Sequence, residues 1–347
     1  MSLDTLNRIY HAVLGCQLLD DPIEFVWHAG EPLLASKDFY REAFKMAKVI
    51  NSQYNRTFSH GIQTNGTLLD PGWVQLFKEY EIAIGVSIDG PEFVHDRYRV
   101  TSKEKGTHSK VMKGIRLLQE AELEFSTISV LTSYALNYVD EIFEFFFENG
   151  ISKIAFNIDE TCGNNTESTM SSSEAVYKYK LFMRRLMELV DCHPGKVTVR
   201  ELVSTTSAIT QNINLNYPVS RSTNTPLEIL TFDTQGNFST FCPELSGANS
   251  KEYNNFVMGN IWNNKIEEIL ENLVFKKVNE LVQKGVERCK HECDYWHFCG
   301  GGCPSNKFFE TGSFESTETL HCQIHQKSTV DTVIEYLESK LIDKTAV

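Results

Sequence analysis

Cys289, Cys293, Cys299, Cys303 and Cys322 are the residues whose type and spacing could do chemistry most directly. They are five of the nine cysteines, fall within 34 residues, and are separated by three, five, three and eighteen positions. Gly300-Gly301-Gly302 fills the gap between Cys299 and Cys303. Thiolates are soft anionic ligands, and four of them hold either a tetrahedral zinc or a cubane iron–sulfur cluster. Consecutive glycines let the backbone wrap closely around such a group. The stretch reads as a metal or cluster site, with both occupants open.

Three further groups carry exposed polar chemistry. His28-Ala29-Gly30-Glu31-Pro32 places one carboxylate beside turn backbone, a seat for a ligand ammonium. Gln63-Thr64-Asn65-Gly66 is an amide-rich turn, and Ser87-Ile88-Asp89-Gly90-Pro91, followed by Arg99, offers a hydroxyl and a guanidinium that could clamp a carboxylate. Each taken alone is most simply a turn with solvated charge. Their joint order matters more, because each follows a strand-like run.

Those runs define the elements that must position the polar groups. Ile23–Trp27, Phe58–Thr64, Ile82–Ile88, 124–131 and 153–158 are short and apolar enough for strands. Helical spacing of apolar residues marks 4–19, 37–50, the segment around Trp73–Tyr80, 108–121 and 138–149. Strand and helix alternate, which predicts parallel strands with crossover helices, and in such folds ligands bind at the carboxyl ends of the strands. Residues 160–171 read as a polar mobile loop, 172–192 and 198–210 as helices, and 211–226 as a linker. A hairpin turns at Gln235-Gly236-Asn237 and ends at Cys242-Pro243; a helix over 264–285 leads to Cys289, and another over 325–341 closes the chain.

Composition narrows the function class. The net charge of −13, from 33 basic and 46 acidic residues, disfavours nucleic acid as a partner. No run approaches the roughly 20 apolar residues of a membrane span, so no membrane partner is expected. The opening Met-Ser-Leu-Asp-Thr-Leu-Asn-Arg-Ile lacks the apolar core of a signal peptide. Nine cysteines without such a signal predict a reducing, cytoplasmic setting in which thiols bind metal.

On His28–Pro32, Gln63–Leu68, Ser87–Pro91 with Arg99, and Cys289–Cys322, the chain resembles the radical S-adenosylmethionine (SAM) superfamily with a C-terminal SPASM extension, over nearly its whole length. Within it, Phe241–Leu245 and Cys299–Thr319 are similar to the GrrM-type peptide maturases. Those act on glycine-rich, ribosomally made precursor peptides, and related maturases install aromatic-to-aliphatic crosslinks. The resemblance implies an α/β fold: a partial (β/α)6 TIM-type barrel missing its first strand over residues 1–210, then a cysteine-rich SPASM domain over 227–347. It implies that Glu31 holds the SAM amino group, that Ser87 and Arg99 bind its carboxylate, and that Gly30, Gln63 and Asn65 belong to the same cofactor site. Cys289, Cys293, Cys299 and Cys322 would ligate one auxiliary [4Fe–4S] cluster. Cys242 and Cys303 match ligands of a second, although Glu244, Ser246 and Asn249 stand where further cysteines are expected, leaving Cys162 or Cys192 as remote thiols. The implied partners are a precursor peptide and an external electron donor.

One departure bears on mechanism. The family cleaves SAM to methionine and a 5′-deoxyadenosyl radical at a cluster held by Cys-x3-Cys-x2-Cys, and that radical takes hydrogen from the peptide. From Cys289 and Cys293 the third position is Trp296, and from Cys299 and Cys303 it is Asn306. The radical SAM cluster ligands are thus absent from this sequence. Because the family places them just before a helix like the opening one, the expectation is an N-terminally incomplete enzyme, inactive alone. The alternative is a non-catalytic peptide-binding partner or scaffold that retains a structural Fe–S or zinc site.

Overall fold

The computed structural model describes residues 1–163, 165–215 and 221–345, with backbone alone for 211–215 and 343–345. Helix α1 (Leu3–Gly15) starts where the Ser2 hydroxyl accepts the Thr5 N–H, and buries the stripe Leu6, Ile9, Tyr10, Val13 and Leu14. Strand β1 (Ile23–Trp27), α2 (Lys37–Tyr54), β2 (Phe58–Thr64), α3 (Pro71–Tyr80) and β3 (Ala83–Ser87) follow, then the single turn α4 (Glu92–His95). Next come α5 (His108–Glu120), β4 (Phe125–Leu131), α6 (Val139–Glu148), β5 (Lys153–Ile158), α7 (Ala175–Cys192), β6 (Thr198–Val199) and α8 (Arg200–Leu215).

The six strands form one parallel sheet in the order β1-β2-β3-β4-β5-β6. Side chains alternate between its faces. Ile62, Ile84, Val86, Leu131, Ile154, Phe156 and Ile158 pack against the helices in the main core. The opposite face carries Glu24, Val26, Gly61, Gln63, Gly85, Ser87, Ile128, Val130, Ala155 and Asn157, which the register aligns across the strands. The glycines leave room on it, and Gln63, Ser87 and Asn157 offer hydrogen bonds. The α/β fold expected from sequence is present.

The C-terminal region builds a second core. Antiparallel strands β7 (Leu230–Phe232), β8 (Asn237–Thr240) and β9 (Gly259–Asn260) pack Phe238 with Phe241, Phe256, Phe275, Val278 and Phe314. Helix α9 (Leu273–Glu292) delivers the first thiols, followed by α10 (Trp296–Cys299), α11 (Pro304–Thr311), a π-helical turn at Cys322–Lys327 and α12 (Ser328–Thr345). Helix α12 returns to α7, with a Tyr179 Oη–Thr329 Oγ1 contact of 3.0 Å and a Lys180–Asp331 ion pair of 2.7 Å. Ile261 and Ile266 join the core of α1, β1 and α2, so this region is fastened to the barrel at two places. Among the described residues no helix is long and apolar enough to cross a membrane.

Several sequence-based boundaries move. The helix expected at 264–285 is a 3-10 segment, Ile266–Glu271, then α9, because the Asn272 side chain caps Val274 N and Phe275 N and restarts the helix. Within the expected loop at 160–171, residue 164 lies outside the described residues; around it Asp159 accepts from Thr169 N at 2.8 Å, Cys162 and Asn165 form a bridge, and Met170 is buried. Of the expected linker at 211–226, residues 211–215 extend α8, 216–220 lie outside the described residues, and Asn224 is buried. Strands β6 and β9, two residues each, are too short to show a sequence period.

Candidate active site

At the carboxyl ends of β1 and β2 one carboxylate organises the rim. Ala29 and Gly30 both take the left-handed conformation, at φ 67° and 62°, and swing Glu31 back toward β2. Glu31 Oε1 accepts from Leu33 N at 2.9 Å and from Thr64 Oγ1 at 2.6 Å, and Oε2 accepts from Asn65 N at 2.8 Å. A carboxylate has about four acceptor positions, so three donors leave capacity for a ligand ammonium. The Asn65 side chain is used locally, its Oδ1 accepting from Thr67 N at 2.9 Å and Thr67 Oγ1 at 2.7 Å. Gln63 lies across β3 and donates to Ser87 Oγ at 3.0 Å. That path exists because residue 85 is glycine: a Cβ there would stand 2.0 Å from Gln63 Oε1.

The end of β3 is a closed ring of hydrogen bonds. Arg99 donates from Nε to Asp89 Oδ2 at 2.5 Å and from Nη2 to Asp89 Oδ1 at 3.0 Å. Thr107 Oγ1 donates to the Arg99 carbonyl at 2.8 Å and meets His95 Nε2 at 3.0 Å, while His95 Nδ1 accepts from Asp89 N at 3.3 Å. Since the Thr107 proton goes to Arg99, the network assigns His95 a protonated Nε2 and a bare Nδ1. The neutral ring agrees with its complete burial, which holds its pKa down at about 4. Asp89 therefore fixes the Arg99 fork, and among the described residues Nη1 of Arg99 has no hydrogen-bond partner.

The thiols meet in the C-terminal region. Cys289, Cys293, Cys299, Cys303 and Cys322 line one cavity together with Arg221, Lys307 and Lys327. Gly300, Gly301 and Gly302 all have positive φ, at 65°, 102° and 74°, which side-chain-bearing residues rarely adopt. Asn224 Nδ2 holds this loop by donating to Gly300 O at 2.8 Å, and Arg221 Nε donates to Cys299 O at 3.0 Å. Lys307, 5% exposed, donates to Gly285 O at 3.1 Å and to Cys289 Sγ at 3.4 Å. Burial raises the Cys289 pKa and pushes the Cys322 thiol up to about 12, and each of the two feels Cys293 and Cys299 as neighbours.

This donor set fits an auxiliary [4Fe–4S] cluster: Cys289, Cys293, Cys299 and Cys322 line one cavity with three cations to offset their charge and a glycine cradle. A Cβ on Gly301 would press on Val286 and Trp296 at 3.1–3.2 Å.

Cys242 and Cys303 pair with each other. Their sulfurs are 2.9 Å apart, Cys303 Sγ also meets Ser305 Oγ at 3.1 Å, and Cys242 is buried at the end of β8. The Cys242 thiol draws the Cys303 pKa down, while burial and Cys303 push Cys242 up. Glu160, Glu244 and Cys162 surround the pair, and burial raises Glu160 to about 7. Cys192 is exposed, at the far end of α7. With Cys162 beside them, Cys242 and Cys303 bring three thiols together among carboxylates, one short of the four thiolates of an all-cysteine cubane, and the direct Cys242–Cys303 contact leaves no room for iron between those two sulfurs.

The structure thus brings Glu31, Gln63, Asn65 and Ser87 to one rim, with Gly30 exposed in the adjoining turn. It ties Arg99 to Asp89, and pairs Cys242 with Cys303, which also lines the cavity of Cys289, Cys293, Cys299 and Cys322. Sequence reasoning missed Gly85, His95, Thr107, Arg221, Asn224 and Lys307. A run such as His95-Asp96-Arg97-Tyr98-Arg99 signalled charge, but nothing local linked Asn224 to Gly300, 76 positions away.

Comparison with known proteins adds the following. The family profile described as the radical SAM superfamily matches residues 17–158. The uncharacterized protein sll1766 of Synechocystis sp. is 38% identical over 344 residues, covering 98% of this chain and 86% of that protein. A cysteine-type anaerobic sulfatase-maturating enzyme of Clostridium novyi is 30% identical over 165 residues, covering 48% of this chain and 44% of that enzyme. The solved structure described as native anSMEcpe with bound AdoMet and Cp18Cys peptide superposes with a TM-score of 0.79 at 22% identity, covering 99% of this chain and 90% of that one.

Proposed function

The chain belongs to the radical SAM superfamily, as a family enzyme related to the sulfatase-maturating enzymes, and from that premise we propose that it acts in crosslinking a glycine-rich precursor peptide. The observation that carries the reading is the polar rim at the carboxyl ends of the strands, where Glu31, Gln63, Ser87 and the Asp89–Arg99 clamp sit at successive strand ends. Glu31 would receive the SAM ammonium in its remaining acceptor position. The Arg99 fork, pinned by Asp89, would offer its outer nitrogen to the SAM carboxylate, and the Gln63–Ser87 pair would line the floor between them. A related structure holding both AdoMet and a peptide on this fold supports the peptide as substrate class. In the thiol-lined cavity Cys289, Cys293, Cys299 and Cys322 would hold an auxiliary cluster, which when bound supplies one-electron redox chemistry. Lys307, Arg221 and Asn224 set the charge and shape of that cavity.

Because the Cys-x3-Cys-x2-Cys spacing does not occur in residues 1–347, a second reading is kept: a peptide-binding partner that performs no SAM cleavage. One experiment separates the two. The chain is reconstituted anaerobically with iron and sulfide, then given SAM, dithionite and a synthetic glycine-rich peptide. 5′-Deoxyadenosine formed by this chain, with a peptide lighter by two hydrogens, supports the maturase and excludes the partner. Peptide retention without 5′-deoxyadenosine supports the partner, and no peptide binding overturns both.

A further inference from the structure

Cys242 and Cys303 come from segments 61 positions apart, yet their sulfurs touch at 2.9 Å. Two thiolates on one tetrahedral zinc, each about 2.3 Å from the ion, would lie about 3.8 Å apart. The observed spacing leaves no seat for an ion between them. A disulfide bond needs about 2.05 Å, so less than an ångström of side-chain movement separates contact from bond.

The two thiols are also differentiated. Cys303 lines the cavity and is half-buried, whereas Cys242 is 1% exposed and has the Thr223 carbonyl at 3.6 Å as its other neighbour. Cys303 occupies the N-cap of α11, where the helix dipole and the Ser305 hydroxyl at 3.1 Å favour a thiolate. One sulfur is placed to attack, the other to resolve.

We propose that Cys242 and Cys303 form a reversible disulfide, a two-electron thiol switch in the place where the family resemblance implies a second cluster. The oxidant is a low-molecular-weight disulfide. The Cys303 thiolate attacks one of its sulfurs, the S–S bond breaks, and one thiolate leaves. Cys242 then gives its proton to a departing thiolate and attacks the Cys303 sulfur, expelling the second thiol. The dithiol loses two electrons and two protons, and the small disulfide becomes two thiols. In a reducing compartment such a bond is transient and responds to redox poise. Its structural effect is local: Cys303 ends the Gly300–Gly302 run, so oxidation ties the loop that follows Cys299 to the end of β8.

The test uses the whole chain, reconstituted with iron and sulfide, exposed to oxidised glutathione, alkylated and mapped by mass spectrometry without reduction. The expected product is a Cys242–Cys303 linked peptide, lost on adding dithiothreitol. Cys242→Ser should stop at a glutathione adduct on Cys303, and Cys303→Ser should give no adduct on Cys242. Both variants should keep the wild-type iron content. Alkylation of both cysteines in the wild-type chain with no linked peptide overturns the proposal, and this readout needs no variant to fold. Loss of about half the iron in either variant also overturns it, by making the pair ligands of a second cluster. SAM cleavage enters neither readout, so failure here is distinguishable from failure of the maturase reading.

Discussion

Glu31→Gln separates a SAM-binding carboxylate from a structural staple. Glu31 accepts three hydrogen bonds, from Leu33 N, Thr64 Oγ1 and Asn65 N, at 2.9, 2.6 and 2.8 Å. A glutamine keeps one oxygen, enough for Leu33 and Thr64, but turns an NH2 group toward the Asn65 N–H. The loss of one charge-assisted bond, with a donor left unpaired, costs about 1.5–3 kcal/mol. At 2–4 °C per kcal/mol for a large domain, Tm should fall by roughly 3–10 °C. Thr64→Val is the control, since it removes one donor from Glu31 and an acceptor from Gly66 N, with a similar loss of Tm and the carboxylate intact. The assay is calorimetric titration with S-adenosylhomocysteine, which carries the same amino-acid end as SAM. Glu31→Gln should weaken binding about 10- to 100-fold, the equivalent of about 1.5–3 kcal/mol, and Thr64→Val by less than about threefold. Equal weakening in both variants, or wild-type affinity in Glu31→Gln alongside a lowered Tm, refutes the assignment.

Three further expectations follow from the same geometry. Cys299→Ala should lose the auxiliary-cluster iron and its broad absorbance near about 400 nm, whereas Cys192→Ala, at an exposed helix end, should lose neither; colorimetric iron on both variants decides. Burial holds His60 and His95 at about 4 against an ordinary 6.5, so the unfolded chain binds more protons between those values. Stability is complete above about pH 6.5 and falls as pH drops toward 4, by about 2 kcal/mol per histidine between pH 7.5 and 5. His60→Phe, at a ring with neither nitrogen paired among the described residues, should remove its share of that loss in urea melts, and parallel curves for variant and wild type would refute the cause. Gly285→Ala would place a Cβ 2.1 Å from the Phe314 carbonyl oxygen; backbone cannot yield cheaply, so about 1–3 kcal/mol of stability should go, read as a fall in Tm together with iron retention.

What the sequence disclosed follows from which signals are local. Strands β1 and β2 were legible to the residue because apolar runs at Ile23–Trp27 and Phe58–Thr64 end on turn residues. The grouping of Cys289, Cys293, Cys299 and Cys322 rested on family resemblance, and the structure makes them neighbours. The start of α9 was misplaced because an apolar period runs through Ile266 and Ile269, and the cap at Asn272 that breaks it is a single residue. Arg99 was read as available because its partner, Asp89, lies ten positions away across a turn, beyond any helical or strand period.

Lys307 shows the limit most clearly. It sits in helix Pro304–Thr311, a segment for which the sequence offered no helical reading, and it is 5% exposed. A buried ammonium is costly unless an anion or strong acceptors compensate it. Its partners, the Gly285 carbonyl and Cys289 Sγ, come from α9, brought near by the same close approach that requires glycine at 285. A neutral thiol would compensate that ammonium poorly and a cluster thiolate would do so well. The charge expected in the cavity is therefore recorded by the placement of Lys307 more directly than by the spacing of the cysteines.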